Sequence, residues 1–109
     1  MYDPRYLDYF ELFRQEKFFE AHEILESLWR ETKGPEREFY QGLIQLAVAL
    51  VHYQRGNCPG ARTMFESAHR YLSAYPSSYL GVDLEKVFHE FERFLETQKD
   101  LPKMTLTKQ

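Results

Sequence analysis

Apolar residues recur at helical spacing along nearly the whole chain, and no stretch alternates apolar and polar residues between hairpin signals as a half-buried strand would. Punctuation divides the pattern into about five helices. Asp3 before Pro4 is an N-cap acceptor followed by proline at the first helical position, so a first helix runs from there to about Gln15. The second covers about Lys17 to Thr32 and stops at Lys33-Gly34-Pro35. The third runs from about Glu36 to Arg55 and ends at Gly56-Asn57, where glycine supplies the left-handed conformation of a residue just past a helix end. A fourth begins near Pro59 and stops before Pro76, and Asp83 caps a fifth that reaches about Lys99. The last ten residues, DLPKMTLTKQ, are expected to fray.

The third helix carries LIQLAVALV from Leu43 to Val51 and is nearly apolar around its circumference, the mark of a helix surrounded by neighbours. The expected architecture is therefore all-α. Five helices form one antiparallel, bundle-like domain over residues 4–99, with the third helix central and the second and fourth beside it. Residues 100–109 form a flexible C-terminal tail. A faint echo at a period of 40 aligns Phe13 with Tyr53, Ala21 with Ala61, Leu25 with Phe65 and Leu28 with Ala68. Each copy reads as a helix end, a tight turn and a helix carrying a small residue.

Composition narrows the classes. With 109 residues there is room for one ordinary core, and nine Phe, eight Tyr and one Trp supply much of it. The single cysteine, Cys58, excludes an intrachain disulfide framework and a cysteine-rich zinc site. A net charge of −3, with no basic stripe, points away from nucleic acid. No apolar run reaches the ~18 residues of a membrane span, and Met1 leads into charged sequence rather than a secretory signal. A cytoplasmic protein with a small molecule or another protein as partner is expected, and neither a membrane nor nucleic acid; self-association stays open.

On the second helix, Phe18, Ala21, Leu25 and Trp29 fall along one line, with Glu16, Glu20, Glu23, Ser27 and Glu31 opposite. Trp29 is thus placed in the core, where truncation to alanine costs ~3–5 kcal/mol. His22 lies inside the apolar face, and Glu26 follows it by one turn on the same side. The pair reads either as a packed core histidine held by one carboxylate or as an imidazole–carboxylate pair in a cleft, available for proton transfer or ligand binding. The string His22-Glu23-x-x-Glu26 lacks the second histidine of a zinc protease, which is rejected.

On the third helix, Gln41, Gln45, Val48 and His52 form a stripe at i, i+4, i+7 and i+11, extended at its ends by Arg37 and Arg55. It is either the one face of that helix open to water or the edge of a helix–helix seam. Gly42 and Ala49, beside it, would admit a close neighbour. With the second helix as that neighbour, His22 and Glu26 would face Gln45 and His52 across a groove. Glu66 and His69 have the ExxH spacing of carboxylate-bridged dimetal bundles, but the rest of that ligand set is missing. A single Zn²⁺ or Mn²⁺ on His22, Glu26 and His52 has no further support. No phosphate-cradling loop, dinucleotide fingerprint or serine-hydrolase elbow is present.

Two stretches, FFEAHEILESLWR from Phe18 to Arg30 and GLIQLAVALVHYQRGNCPGA from Gly42 to Ala61, closely resemble the signature segments of a small helical family, domain of unknown function 309. The resemblance covers about Phe10 to Tyr75. It implies an all-α fold in bacterial and plastid-related proteins and brings no established activity. On its motif positions it picks out His22, Glu23, Glu26, Trp29, Gln45, His52, Gly56 and Asn57. Together with Gln41 these define the candidate binding residues. Two functions compete: a ligand- or protein-binding module centred on the groove between the second and third helices, or an enzyme using His22 with Glu26, and His52 as second donor or metal ligand. Neither a cofactor nor a metal is specified.

Overall fold

The computed structural model describes residues 1–107. Five helices follow one another as α1 (Pro4–Arg14), α2 (Phe18–Glu31), α3 (Glu36–Gln54), α4 (Cys58–Leu72) and α5 (Leu84–Thr97). Their starts are chemically marked. Asp3 Oδ1 accepts the Arg5 N–H at 2.8 Å, Asn57 Oδ1 accepts the Gly60 N–H at 2.9 Å, and Asp83 Oδ1 accepts the Lys86 N–H at 3.1 Å. Each such cap satisfies a backbone donor that has no partner inside its helix.

Helix α3 lies between α2 and α4, as its apolar circumference requires. Gly42 is a point of close approach: a methyl group there would sit 2.5 Å from Leu72 Cγ of α4. The small-residue side of α3 therefore receives α4 rather than α2. Helix α1 covers α2 and α3 together. The Tyr9 hydroxyl donates to the Leu43 carbonyl at 2.6 Å, and the Tyr6 ring packs 5.6 Å from that of Tyr40. Helix α5 closes the core through its rings, with Phe91 against both Phe13 and Phe65.

The two helix pairs α1–α2 and α3–α4 turn in the same way, 40 residues apart. Gly56 carries a φ of 77°, and its N–H bonds the Tyr53 carbonyl while the Asn57 N–H bonds that of His52. Forty residues earlier Glu16 has a φ of 62°, and the Glu16 and Lys17 N–H groups bond the Phe13 and Leu12 carbonyls. This is the paired hydrogen-bond closure of a helix ending in a left-handed residue. Glutamate meets a steric cost there that glycine does not. Glu16→Gly is accordingly expected to stabilise the fold by about 0.5–1 kcal/mol in urea unfolding, the relief of strain outweighing the added freedom of the unfolded chain.

Two features depart from the helical pattern. Between α4 and α5, β1 (Ser78–Tyr79) pairs antiparallel with β2 (Val82–Asp83), Ser78 opposite Asp83 and Tyr79 opposite Val82. Leu80 and Gly81 in the turn both have positive φ, as a two-residue hairpin demands, but Leu80 is not a residue that announces such a turn. The second departure is the tail. Gln98 and Asp100 adopt left-handed backbone and reverse the chain, so that Pro102 and Met104 are buried. The Lys103 N–H donates to Glu90 at 3.1 Å and the Thr107 N–H to the Gly81 carbonyl at 2.7 Å. Over residues 101–107 the tail lies against the helices, with Pro102 and Met104 buried. Residues 108 and 109 lie outside the described residues.

Candidate functional site

Two arginine–aromatic contacts join α2 to α3 and fix how they lie. The Arg37 guanidinium sits over the Trp29 indole, 4.0 Å from the ring centroid, and also donates to the Trp29 and Thr32 carbonyls at 2.9 and 3.2 Å. At the other end Arg55 lies 5.8 Å from the Phe19 ring. The start of α2 therefore meets the end of α3, and the end of α2 meets the start of α3. His22 and Glu26, between Phe19 and Trp29 on α2, lie alongside the stretch of α3 between Arg37 and Arg55. That stretch carries Gln41, Gln45, Val48 and His52, all half-buried. The polar stripe is thus partly sheltered at the side of α3, between the buried face and open solvent.

The individual side chains are held differently from the simplest expectation. The His22 Nδ1–H donates to the Phe19 carbonyl at 2.5 Å, and its ring packs edge-on to Phe19 at 4.9 Å. Glu26 instead pairs with Arg30 at 2.6 Å, one turn along α2. No hydrogen bond joins His22 to Glu26 among the described residues, so the carboxylate does not orient the imidazole. The reason is local: a carbonyl one turn back is nearer to Nδ1, and Arg30 is a stronger partner for a carboxylate. Glu23 is exposed. His52 Nδ1 faces the Asn57 amide nitrogen at 3.5 Å. Gln45 Oε1 is buried without a hydrogen-bond partner.

Trp29 requires a correction. It is half-buried, and the position that completes the buried line of Phe18, Ala21 and Leu25 is Leu28. Helix α1 draws α2 toward that side, where Arg5 bonds the Ser27 carbonyl at 3.4 Å and Glu31 at 2.9 Å. Trp29→Ala is now expected to cost about 1–3 kcal/mol in urea, less than a fully buried aromatic, because part of the ring stays open to water while its core contacts and the cation–π contact are lost. Arg37→Ala should then add little in the Trp29→Ala background, since the stacking partner is already gone.

Among the described residues no three His, Cys, Asp or Glu side chains converge to hold a metal ion. The metal form of the enzyme reading, with His22, Glu26 and His52 as ligands, is therefore not supported by the donor geometry. Among the clefts of the described residues, four lie away from the α2–α3 face, and none of these four is lined by His22, Glu23, Glu26, Trp29, Gln41, Gln45, His52 or Asn57. One of about 580 Å³ lies between α4 and α5 and gathers Arg62, Glu66, His69, Arg70, Glu92 and Glu96. The sequence offered two of its residues, Glu66 and His69, only as an incomplete dimetal set. The signal was the i, i+4 run Arg62, Glu66, Arg70 on α4 facing Glu92 and Glu96 on α5, which reads as an ordinary solvated face until the two helices are brought together. No helix among the described residues is long and apolar enough to cross a membrane.

Comparison with known proteins fits this picture. The chain is 42% identical over 76 residues to the uncharacterized protein YpuF of Bacillus subtilis (strain 168), covering 68% of this chain and 44% of that protein. It is 31% identical over 83 residues to an uncharacterized protein of Aquifex aeolicus (strain VF5), covering 75% of this chain and 25% of the relative. The chain thus spans less than half the length of either. The crystal structure of a conserved hypothetical protein from Thermus thermophilus has a similar fold, with a TM-score of 0.73 and 30% identity over 86% of this chain and 98% of that one. Residues 6–64, which take in α1, α2, α3 and the first half of α4, match the family described as Domain of unknown function (DUF309), and the chain belongs to that family.

Proposed function

We propose that the protein is a protein-binding module whose α2–α3 face takes a short segment of a partner chain. The observation that carries this reading is the openness of the face. His22, Gln45 and His52 are half-buried and line none of the four clefts. A small molecule is usually enclosed in a concavity of roughly 300–1,000 Å³ that covers most of its surface. A peptide segment can instead lie along an open helix–helix face and take its affinity from a few anchored side chains. The half-buried Trp29 and the exposed Phe19 supply apolar contact at the two ends, each with an arginine fixed over its ring. Against catalysis stands the separation of His22 from Glu26, which leaves no oriented acid–base pair.

The reading is tested by selecting a displayed library of random twelve-residue peptides (about the length that spans ~18 Å as a helix) on the wild-type protein. The recovered peptides are then measured on His22→Ala, Gln45→Ala and Phe19→Ala. Expected are peptides whose affinity falls at least about tenfold on two of the three, in keeping with loss of central interface contacts. Recovery of no binder, or of binders indifferent to all three substitutions, would sink it.

A further inference from the structure

The hydrogen-bond partners of His22 and His52 favour opposite tautomers in the neutral rings. A carbonyl oxygen only accepts, so the contact of His22 Nδ1 with the Phe19 carbonyl at 2.5 Å places the ring proton on Nδ1. Neutral His22 therefore keeps a bare Nε2 as an acceptor, with no protein hydrogen-bond partner among the described residues. His52 is held the other way by Asn57. The Asn57 Oδ1 is committed to the Gly60 N–H at 2.9 Å, which leaves the amide Nδ2 facing His52 Nδ1 at 3.5 Å. An amide NH₂ only donates, so neutral His52 accepts at Nδ1 and carries its proton on Nε2, as a donor. Gly60 matters to this arrangement. A Cβ there would collide with the Asn57 amide, so the asparagine fits against the first turn of α4 only because residue 60 has no side chain.

The two rings belong to one region of the surface. His22 packs on Phe19, Arg55 lies over Phe19, and His52 stands one turn before Arg55 on α3. Between the arginine contacts the two rings thus supply one acceptor and one donor, and the Gln45 side-chain oxygen beside them is buried without a partner. A carboxylate brings only acceptors and an ammonium only donors, and each would leave one histidine opposed. A peptide bond brings both.

We infer that this face recognises the amide groups of a peptide segment, an N–H donating to His22 Nε2 and a C=O accepting from His52 Nε2–H, with Asn57 as the positioning residue that sets the His52 tautomer. The inference rests on the protein-binding reading and names its chemistry: recognition of backbone or carboxamide groups rather than of charged side chains.

Three measurements test it, all at about pH 9, where unperturbed imidazole is neutral. Long-range ¹⁵N–¹H NMR correlations should show His22 protonated on Nδ1 and His52 on Nε2; either ring found in the other form overturns the assignment. Titration with N-methylacetamide should move the ring signals of both histidines at concentrations where acetate and methylammonium do not. Equal responses to the three probes, or none, overturn the ligand class. Asn57→Asp keeps an acceptor for the Gly60 N–H but offers a second carboxylate oxygen to His52, which should draw the proton to Nδ1 and invert the tautomer. Peptides recovered in the library selection should lose about tenfold or more in affinity for Asn57→Asp, the cost of one opposed hydrogen bond. Peptides that depend on His22 yet bind Asn57→Asp unchanged would leave the protein-binding face standing and defeat the amide inference alone. Failure to recover any peptide defeats the face itself.

Discussion

Phe91→Ala is expected to destabilise the protein by about 3–5 kcal/mol, a large share of the roughly 5–15 kcal/mol available to a single domain. Helix α5 approaches α4 less closely than α3 does, so side chains rather than close backbone approach hold it in place. Phe91 is the central one. It is 1% exposed, stacks on Phe65 of α4 with ring centroids 5.5 Å apart and nearly parallel planes, and meets Phe13 of α1 at 6.4 Å. Phe94 packs on Tyr53 and Phe88 on His69 to either side. Removing the Phe91 ring leaves a cavity where three helices meet, and long neighbouring rings cannot collapse into it without leaving their own contacts. Urea unfolding measures the loss, and amide exchange should show α5 opening before α3. Phe91→Leu, which restores much of the volume, should recover most of the stability. A loss under about 1 kcal/mol for Phe91→Ala would mean that α5 docks by other means.

The helices were legible because their ends carry chemistry. Asp3-Pro4, Gly56-Asn57 and Asp83 act at the expected places, and the apolar circumference of α3 puts it between two neighbours. What periodicity could not supply is rotation. Leu28 and Trp29 both follow Leu25 at helical spacing, and only the arrival of α1 on the Ser27 side decides that Leu28 is buried and Trp29 half-open. Gly42 and Ala49 announced a close neighbour without saying which, and Leu72 of α4 fills the place assigned to α2. The tail escaped because Leu101, Met104 and Leu106 carry no periodic signal; the backbone reversals at Gln98 and Asp100 bring Met104 into the core with Leu101 and Leu106 packed against it. The candidate site was legible as a set of residues on α2 and α3, and His22, Gln45 and His52 are each half-buried. Their pairing was not. One-turn spacing suggested His22 with Glu26, whereas a backbone carbonyl and an arginine compete successfully for the two groups.

Raising the pH above about 10 should unfold the protein steeply, and Tyr9→Phe should blunt that response. Burial pushes the phenols of Tyr6 and Tyr9 well above their ordinary value, and each hydroxyl donates to a carbonyl, Tyr6 to Leu80 at 2.8 Å and Tyr9 to Leu43 at 2.6 Å. In the unfolded chain both ionise near the ordinary tyrosine value of about 10. Below that pH both states keep their protons, and the contribution of these groups to stability is fully present. Above it the unfolded state loses protons that the folded state retains, so stability falls with rising pH until the folded phenols themselves ionise. Each tyrosine contributes about 1.4 kcal/mol per pH unit, so the two together remove roughly 5 kcal/mol by about pH 12. Tyr40, Tyr75 and Tyr79 are raised in the same direction, chiefly by burial, and being more open to water add a smaller slope common to wild type and variant. In Tyr9→Phe the hydrogen bond to Leu43 is lost, at a cost of about 0.5–1.5 kcal/mol near neutral pH. The variant also loses one ionisable phenol, and with it half of the slope from the buried pair. The two stability curves should therefore cross between about pH 10 and 11, the variant becoming the more stable protein above the crossing. Urea unfolding across that range, with phenolate absorbance followed in the same samples, reads both effects. Parallel curves would show that Tyr9 ionises as readily in the folded protein as in the unfolded chain, and its phenol would then not be sealed between α1 and α3.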